Sequence, residues 1–305
     1  MHKHIEAYLS HLEPILAQNG ILVAEGREIA YGYQLRLEDG ENRIVLNVYY
    51  SDKRGLTAVV GANGANALKP KIETILFSLQ ETPQDAGFHD WESWIGSDEC
   101  GKGDYFGPLV VASFYMEKEM EKELRGLGVC DSKRLTDALI LKIALQLYER
   151  YAANISCVLL KPPKYNEIIA DMKTQKKNLN DLLAWQHGKA ITELVSKHEN
   201  VQGILVDQFS SAKKVQKLLV AAKIKAAVIE RHGAESDPAV AAASIIARYQ
   251  FLQNRKSMNR FYGMVLPLGA SNSVISAANA FVEKFGISRL GEVAKLHFKT
   301  TEKVR

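Results

Sequence analysis

The pattern of hydrophobic and polar positions divides the chain of 305 residues into two parts. Residues 1–80 combine two segments of helical spacing with a stretch in which apolar and polar side chains alternate. Residues 94–305 instead alternate between short apolar runs and longer helical segments. Residues 81–93 are polar and show no clear periodicity. We therefore expect two domains, over residues 1–80 and 94–305, joined by a linker over residues 81–93.

The alternating stretch of the first domain predicts three antiparallel strands within residues 30–61. Leu35 and Leu37 are separated by a polar residue, so one face of the sheet is expected to be covered and the other open. Asp39-Gly40 and the segment 51–55 supply the residues that tight turns need. With one helix before the sheet and one after it, the domain is predicted to be a small α+β module.

The second domain is predicted to be a layered α/β structure, because helical segments separate most of its strands. A long helix from Asp237 to about Met258 carries Ala239, Ala242 and Ala243 at helical spacing, which allows it to lie close to its neighbours. The predicted strands are WIGSDE (94–99), PLVVASFYM (108–116), ISCVLLKP (155–162), GILVDQF (203–209) and KAAVIER (225–231).

Composition narrows the class of protein only a little. Hydrophobic residues make up 47% and charged residues 24%, which is typical of soluble globular proteins. The net charge of +4 permits a nucleic-acid partner without requiring one. Cys100, Cys130 and Cys157 are scattered, which favours free thiols in a reducing compartment. No signal peptide or membrane-spanning run is found and no obligate protein partner is evident, so we expect a cytoplasmic protein without a membrane partner.

One glycine-rich segment resembles a nucleotide-binding loop without being one. Residues 96–102 fit the first seven positions of the P-loop pattern G-x-x-x-x-G-K. The next position must be Ser or Thr to hold Mg²⁺, but it is Gly103, and a strand rather than a helix is predicted to follow. Asp98 and Glu99 would also place negative charge where phosphates must lie. The pattern therefore argues against an NTPase and leaves these carboxylates to be explained.

Acidic residues occur repeatedly where predicted strands end. Asp98 and Glu99 end one strand, Asp207 ends another, and Glu235 and Asp237 lie between the last strand and the long helix. Because ligand sites in α/β sheets form at strand ends, these side chains are expected to converge. Clustered carboxylates repel one another unless cations lie between them, and all-oxygen ligands favour Mg²⁺ or Mn²⁺. Such a site suits two-metal phosphodiester hydrolysis.

Simpler interpretations exist for each carboxylate taken alone. Asp237-Pro238 also fits a helix N-cap followed by proline at the first helical position. Asp98 and Glu99 could lie in a solvated turn, and Asp207 could pair with a lysine. The case for a metal site therefore depends on whether the carboxylates come together.

Residues near the carboxylates are suited to a polynucleotide. Gly101, Lys102 and Gly103 offer bare backbone for the close approach of a ribose, together with one cation. Ser132 and Lys133 lie at the entrance of a predicted helix, where a phosphate can bind.

Several motifs together resemble the type 2 ribonucleases H, and in particular their ribonuclease HIII branch. The motifs are GSDECGKGDYFGPLVVAS, CDSKRL, ILVDQF and AVAAASIIAR for the family, and PPKYNEII, KNLNDLLAWQHGKAI and AKLHFKTTEK for the branch. The resemblance implies a ribonuclease H-like α/β fold with a mixed sheet flanked by helices. It also implies that the N-terminal α+β domain resembles TATA-binding protein and binds an RNA/DNA hybrid with the open face of its sheet.

The resemblance also implies roles for individual residues. Asp98, Glu99, Asp207 and Glu235 match the four catalytic carboxylates, which hold two Mg²⁺ or Mn²⁺ ions. Gly101, Lys102 and Gly103 are expected to contact RNA 2′-hydroxyls, and Ser132 and Lys133 to contact phosphates. The implied activity is hydrolysis of the RNA strand of RNA/DNA hybrids, leaving 5′-phosphate and 3′-hydroxyl ends.

Two departures from the family pattern leave alternatives open. Asp237 lies only two residues from Glu235 and is the other candidate for the fourth carboxylate. The G-K-G sequence at Lys102 lies between the G-R-G of ribonuclease HII and the G-T-G common in ribonuclease HIII. Incision at single ribonucleotides, as in ribonuclease HII, is therefore the nearer alternative, although we find no counterpart of the tyrosine with which that enzyme senses an RNA–DNA junction. A non-catalytic hybrid-binding protein is the more distant alternative.

Overall fold

In the computed structural model of the chain, the described residues are 2–51, 55–61, 66–79 and 88–305. They form two compact units, which divide between Ala86 and Gly87. Residues 52–54 of the predicted turn and residues 81–87 of the predicted linker lie outside the described residues. Among the helices that are described, none combines the length and the hydropathy needed to cross a membrane.

The first unit is an antiparallel sheet of four described strands, in the order β1-β2-β3-β4, with two helices. Leu35 and Leu37 of the sheet are buried in one core with Leu12 and Leu16 of the first helix, so the predicted covered face is confirmed. The elements are α1 (Lys3–Gln18), β1 (Leu22–Ile29), β2 (Gly32–Glu38), β3 (Arg43–Ser51), β4 (Gly55–Val60) and α2 (Leu68–Leu79).

Strand β1 was not among the three strands that the sequence predicts. Among the described strands it pairs with β2 alone, at the edge of the sheet, and its register shifts between Val23 and Glu25. Most of its residues are exposed, so its sequence lacks the alternation of a half-buried strand.

The second unit is a mixed sheet of five described strands, in the order β7-β6-β5-β8-β9. Strand β6 is antiparallel to both of its neighbours, β5 and β7, whereas β5, β8 and β9 run parallel to one another. The strands are β5 (Ser93–Cys100), β6 (Leu109–Glu117), β7 (Ile155–Leu160), β8 (Gly203–Asp207) and β9 (Ala227–Arg231). The helices are α3 (Glu121–Gly126), α4 (Asp137–Tyr151), α5 (Pro162–Thr174), α6 (Leu179–Lys197), α7 (Lys214–Ala221), α8 (Pro238–Tyr262) and α9 (Asn272–Phe285).

Helices cover both faces of this sheet. Helices α4 and α8 share one hydrophobic core with the sheet, and α6 and α7 share another. The small residues of α8 allow the close approach that the sequence predicts: a Cβ atom added to Gly96 of β5 would lie 2.2 Å from the backbone carbon of Ala239. The predicted fold class, an α/β unit with a mixed sheet flanked by helices and preceded by a small α+β unit, is confirmed.

The last residues of the predicted linker pack on the second unit. A Cβ atom added to Gly203 would lie within 2.0 Å of the Trp91 ring, so glycine is required beside this indole. The Phe88 ring lies 3.9 Å from the guanidinium carbon of Arg231. Residues 88–93 therefore belong structurally to the second unit.

Candidate active site

Adjacent parallel strands bring three of the predicted carboxylates to one edge of the mixed sheet. Ser97 of β5 pairs with Val206 of β8, so the residues that follow, Asp98 and Asp207, lie side by side. The backbone N–H of Ala234 donates to Asp207 Oδ1 (3.3 Å), which ties a short 3₁₀ helix (Ala234–Ser236) to the end of β8. This helix carries Glu235, so all four predicted carboxylates border one region.

A cleft of about 560 Å³ opens at this edge of the sheet. Its walls carry acidic, hydroxyl and basic side chains from β5, β8, the segment before α4, the start of α4, and α8. The polar and charged lining residues are Asp98, Glu99, Ser132, Lys133, Asp137, Asp207, Ser244 and Arg248.

Asp98 and Asp207 are hard to ionise in this arrangement. Burial, followed by the charge of Glu99, raises the pKa of Asp98 from 3.8 to about 7. Burial, followed by the charge of Glu235, raises the pKa of Asp207 from 3.8 to about 6. Both values are typical of carboxylates that share a site without enough positive charge.

Glu99 and Glu235 are each paired with a lysine. Burial opposes the ionisation of Glu99, but the nearby His187 and Lys102 outweigh it and lower the pKa of Glu99. Burial likewise opposes the ionisation of Glu235, but Lys133, whose Nζ donates to Glu235 Oε1 (2.7 Å), lowers the pKa of that carboxyl. Among the described residues, no three His, Cys, Asp or Glu side chains are gathered closely enough to ligate one ion without rearrangement.

The alternation of strand β5 sends the two adjacent carboxylates to different helices. Asp98 contacts Ser244 of α8, and the backbone N–H of Glu99 donates to Asp98 Oδ1 (2.7 Å). Glu99 lies on the other side of the strand, where its Oε2 is 3.4 Å from Nε2 of His187 on α6. Each carboxylate therefore has its own set of supporting groups.

Asp237, the other candidate for the fourth carboxylate, is occupied as a helix cap. Its Oδ1 accepts hydrogen bonds from the backbone N–H groups of Ala239 (2.9 Å) and Val240 (3.1 Å) and from Nε1 of Trp94 (3.1 Å). Its Oδ2 lies 3.3 Å from Nε2 of His89. The side chain is buried, and this arrangement matches the capping role that its sequence Asp-Pro allows.

The G-K-G segment forms the turn that follows β5. Gly101 has a φ of +91°, and a Cβ atom there would lie 2.3 Å from the carbonyl oxygen of Pro108. Nothing lies within 4 Å of the position of a Cβ atom at Gly103, so its backbone is open to a ligand. Lys102 extends over the Phe209 ring (5.5 Å to the centroid), with its Nζ 3.6 Å from Glu99 Oε1.

Ser132 and Lys133 lie at a helix entrance, as the sequence predicts. They belong to a 3₁₀ turn before α4, and the backbone N–H of Lys133 donates to Asp131 Oδ1 (2.9 Å). Ser132 Oγ is 2.6 Å from Ser244 Oγ, which links this turn to α8 and to Asp98. The Lys133 side chain is 71% exposed and thus accessible to an anion.

Sequence reasoning missed a lysine that supports the loop after the G-K-G turn. Lys295 is fully buried, and its Nζ donates to the carbonyl oxygen of Gly107 (2.7 Å). Its backbone N–H donates to the Tyr105 carbonyl oxygen (2.8 Å), and Gly107 N–H donates to that of Val293 (3.0 Å). Burial lowers the pKa of Lys295 from 10.5 to about 7. The motif AKLHFKTTEK contains this lysine but gives no indication of its contact.

The open face of the first unit carries a row of hydrogen-bonded polar side chains. Arg27 Nε donates to Gln34 Oε1 (2.9 Å), and Gln34 Nε2 donates to Asn47 Oδ1 (2.8 Å). The three residues are paired across β1, β2 and β3, so the row crosses the sheet at right angles to its strands.

Fold and site together define an α/β protein whose strand ends form an acidic cleft suited to divalent cations. The ribonuclease HII family model matches residues 95–301, and the chain therefore belongs to this family of ribonucleases. Its sequence is 37% identical to the ribonuclease HIII of Protochlamydia amoebophila over 265 residues, which are 84% of this chain and 86% of that protein. The expected family membership is confirmed.

Solved structures agree with this assignment. The structure of Bst-RNase HIII in complex with Mn²⁺ is similar to 97% of this chain and 94% of its own, with a TM-score of 0.64 and 28% sequence identity. The ribonuclease H2 of Pyrococcus horikoshii is similar to 69% of this chain and 96% of its own, with a TM-score of 0.58 and 25% identity.

Proposed function

We propose that the protein is an endoribonuclease that hydrolyses the RNA strand of RNA/DNA hybrids and leaves 5′-phosphate and 3′-hydroxyl ends. The observation that carries the proposal is the meeting of Asp98, Glu99, Asp207 and Glu235 at the strand ends of a chain that belongs to a ribonuclease family. The similarity to a ribonuclease HIII that was solved with Mn²⁺ supports the same activity.

The chemistry of these residues fits two divalent metal ions. All four side chains offer oxygen ligands, which suit Mg²⁺ or Mn²⁺. The buried Oε2 of Glu235 has no hydrogen-bond partner among the described residues. Burial first, and then the negative charge of neighbouring carboxylates, raises the pKa values of Asp98 and Asp207. Ions bound there would supply a water nucleophile of lowered pKa and offset the charge on the leaving 3′ oxygen.

The residues around the carboxylates would bind and orient the hybrid. The turn from Gly101 to Gly103, whose backbone is open at Gly103, would contact 2′-hydroxyls, the group that distinguishes RNA from DNA. Lys133 and Ser132 would hold a phosphate, since Lys133 is exposed at the cleft and Ser132 lies at the entrance of α4. When metal ions bind Glu235, Lys133 would be released for this contact.

The open face of the first unit would add a second contact with the duplex. The amides of Gln34 and Asn47 offer donors and acceptors, and Arg27 at the end of the row offers a charge for a phosphate. The sheet would thus increase affinity without taking part in the chemistry.

Incision at single ribonucleotides, as in ribonuclease HII, is the second candidate, and Lys102 is the observation that favours it. Its side chain is 37% exposed beside Glu99, where a cation could grip the nucleotide at the cut. A non-catalytic binder is disfavoured, because a protein that only binds phosphates gains nothing from half-buried, mutually repelling carboxylates.

A cleavage assay with two end-labelled duplexes tests these functions. One duplex carries an RNA strand on DNA, and the other carries a single ribonucleotide within DNA; each is incubated with Mg²⁺ and then Mn²⁺. Cuts at several positions in the full hybrid, with little cutting of the second duplex, would support the proposal. Efficient incision at the single ribonucleotide would favour the second candidate, and binding without cleavage in either metal would refute both.

A further inference from the structure

A buried histidine lies behind the acidic site, and the proposed reaction gives it no role. His187 of α6 is fully buried, and its Nδ1 lies 2.7 Å from Ser97 Oγ. Its Nε2 lies 3.4 Å from Glu99 Oε2. The motif KNLNDLLAWQHGKAI contains this residue, but the sequence does not indicate what it contacts.

The histidine ring is held from two sides. Ser113 Oγ donates to Ser97 Oγ (2.9 Å), and Ser97 Oγ also contacts the carbonyl oxygen of Ala112 (3.0 Å), so the serine beside Nδ1 is itself fixed to the sheet. The Phe209 ring stacks on His187 with centroids 5.1 Å apart and planes 13° from parallel. The imidazole therefore has one packed orientation, with Nε2 directed at Glu99.

Nε2 of His187 is a buried polar atom whose position is explained only by its contact with Glu99. It is buried and has no hydrogen-bond partner among the described residues, although buried polar atoms normally have one. The Glu99 carboxylate is the charged group that it faces. An apolar side chain would fill this position in the core without the cost of burying a polar ring atom.

The two oxygens of Glu99 have different surroundings. Oε2 faces the rigid imidazole inside the protein, whereas Oε1 lies 3.6 Å from Nζ of Lys102 at the surface of the cleft. A glutamate side chain has several rotatable bonds, so a ligand oxygen on it is well placed only if another group fixes the carboxylate.

We propose that His187 is a positioning residue that donates from Nε2–H to Oε2 of Glu99, with Nδ1 accepting from Ser97 Oγ, and thereby presents Oε1 of Glu99 to a divalent ion in the cleft. The inference rests on the proposed function, because it requires Glu99 to be a metal ligand. It predicts that loss of the Nε2 contact weakens metal binding by roughly 10–100-fold, the usual effect of removing a group that orients a ligand.

Two amide variants separate this role from simple packing. In His187→Gln the amide nitrogen can take the place of Nε2 and reach Glu99, whereas in His187→Asn it can take the place of Nδ1 and reach only Ser97. Mn²⁺ binding would be measured by isothermal titration calorimetry on the full chain without nucleic acid. The unfolding midpoint would be measured in EDTA for the same proteins, with His198→Gln, a change at a half-buried histidine stacked on the Tyr115 ring, as the control.

We expect His187→Asn to lose at least tenfold in Mn²⁺ affinity and His187→Gln to stay within about threefold of the unchanged protein, with similar midpoints in EDTA. Equal affinity in both variants and the unchanged protein would overturn the proposal. Equal loss in both variants would also overturn it, because packing rather than the Nε2 contact would then be responsible.

Glu99→Gln distinguishes failure of this inference from failure of the proposed function. If Glu99→Gln binds Mn²⁺ like the unchanged protein, Glu99 is not a ligand, and the metal site itself is wrong. If Glu99→Gln weakens binding but His187→Asn does not, the metal site stands and only the positioning role fails.

Discussion

The two sheets of the protein present their polar residues in opposite ways. In the first unit, helices cover one face of the sheet, so a whole face remains open and carries the row from Arg27 to Asn47. In the second unit, helices cover both faces, so the polar groups of the candidate site lie where the strands end, at Asp98 and Asp207. An open face offers a broad surface to a duplex, whereas a covered sheet offers a small cleft in which charges interact strongly.

This difference predicts separate roles for the two sheets, one in binding and the other in catalysis. The polar residues on the open face are partly exposed, and a hydrogen bond from one of them to a ligand replaces bonds to water, so each such bond contributes little. Carboxylates at the strand ends are partly buried and close to one another, so each change in charge has a large effect. Variants of the first sheet should therefore alter affinity, and variants at the edge of the second should alter turnover.

The largest effect is expected from Asp98→Asn. The substitution keeps the shape of the side chain but removes a charge that metal ions need, so cleavage of a hybrid should fall by more than about a hundredfold. Binding of the hybrid, measured by fluorescence anisotropy in EDTA, should remain within a few-fold of that of the unchanged protein. Near-normal cleavage by the variant would mean that the acidic edge is not the reaction site.

A smaller effect is expected from the double variant Gln34→Ala and Asn47→Ala. Loss of two half-buried hydrogen-bonding groups should raise the KM for a long hybrid by about tenfold or less and leave kcat unchanged. Steady-state kinetics on a hybrid longer than the cleft would measure both. Gln18→Ala, at the exposed end of α1, is the control. A fall in kcat at saturating hybrid would contradict the division of work between the sheets.

Lys133→Met should lower hybrid affinity a few-fold and change its salt dependence. The substitution keeps an apolar stem but removes one contact with a phosphate, so the slope of log affinity against log salt should become shallower by about 0.7–0.9. Lys122→Met, at an exposed position of α3, should leave the slope unchanged. An unchanged slope for Lys133→Met would mean that this lysine serves Glu235 alone.

The smallest expected effect is a change with pH in the folding stability of the metal-free protein. The pKa of Asp98 rises from 3.8 to about 7 on folding, so the folded state binds more protons between these values, and its stability falls as pH rises through this range. The unfolding midpoint in EDTA should therefore decrease from pH 4 to pH 7, and less so in Asp98→Asn. A variant with the same pH dependence as the unchanged protein would contradict the repulsion inferred at this edge.

The fold of the second unit was largely predictable because its strands are buried runs. Stretches such as residues 203–207 are almost wholly apolar, and periodicity identifies them without knowledge of their partners. Strand β1 failed this criterion because it lies at an edge and is exposed. Burial, rather than strand formation as such, produces the pattern that a sequence displays.

The acidic residues of the candidate site could be predicted from the sequence, but the residues that hold the site in place could not. Asp98 and Asp207 are visible because each follows an apolar strand, a local feature of the sequence. His187 and Lys295 act through contacts with residues far away in the chain, and nothing in their immediate neighbours encodes those contacts. Tertiary structure is needed to find residues whose role is to hold others.

The contact between Lys295 and Gly107 also bears on how the protein is made. The two residues are 188 positions apart, and the chain leaves the ribosome from its N-terminal side. Strand β5 and its acidic pair are therefore synthesised long before the lysine that braces the neighbouring loop. A nascent chain that has not reached residue 295 carries the carboxylates without the lysine that braces the loop at Gly107, so translation itself delays completion of this edge of the fold.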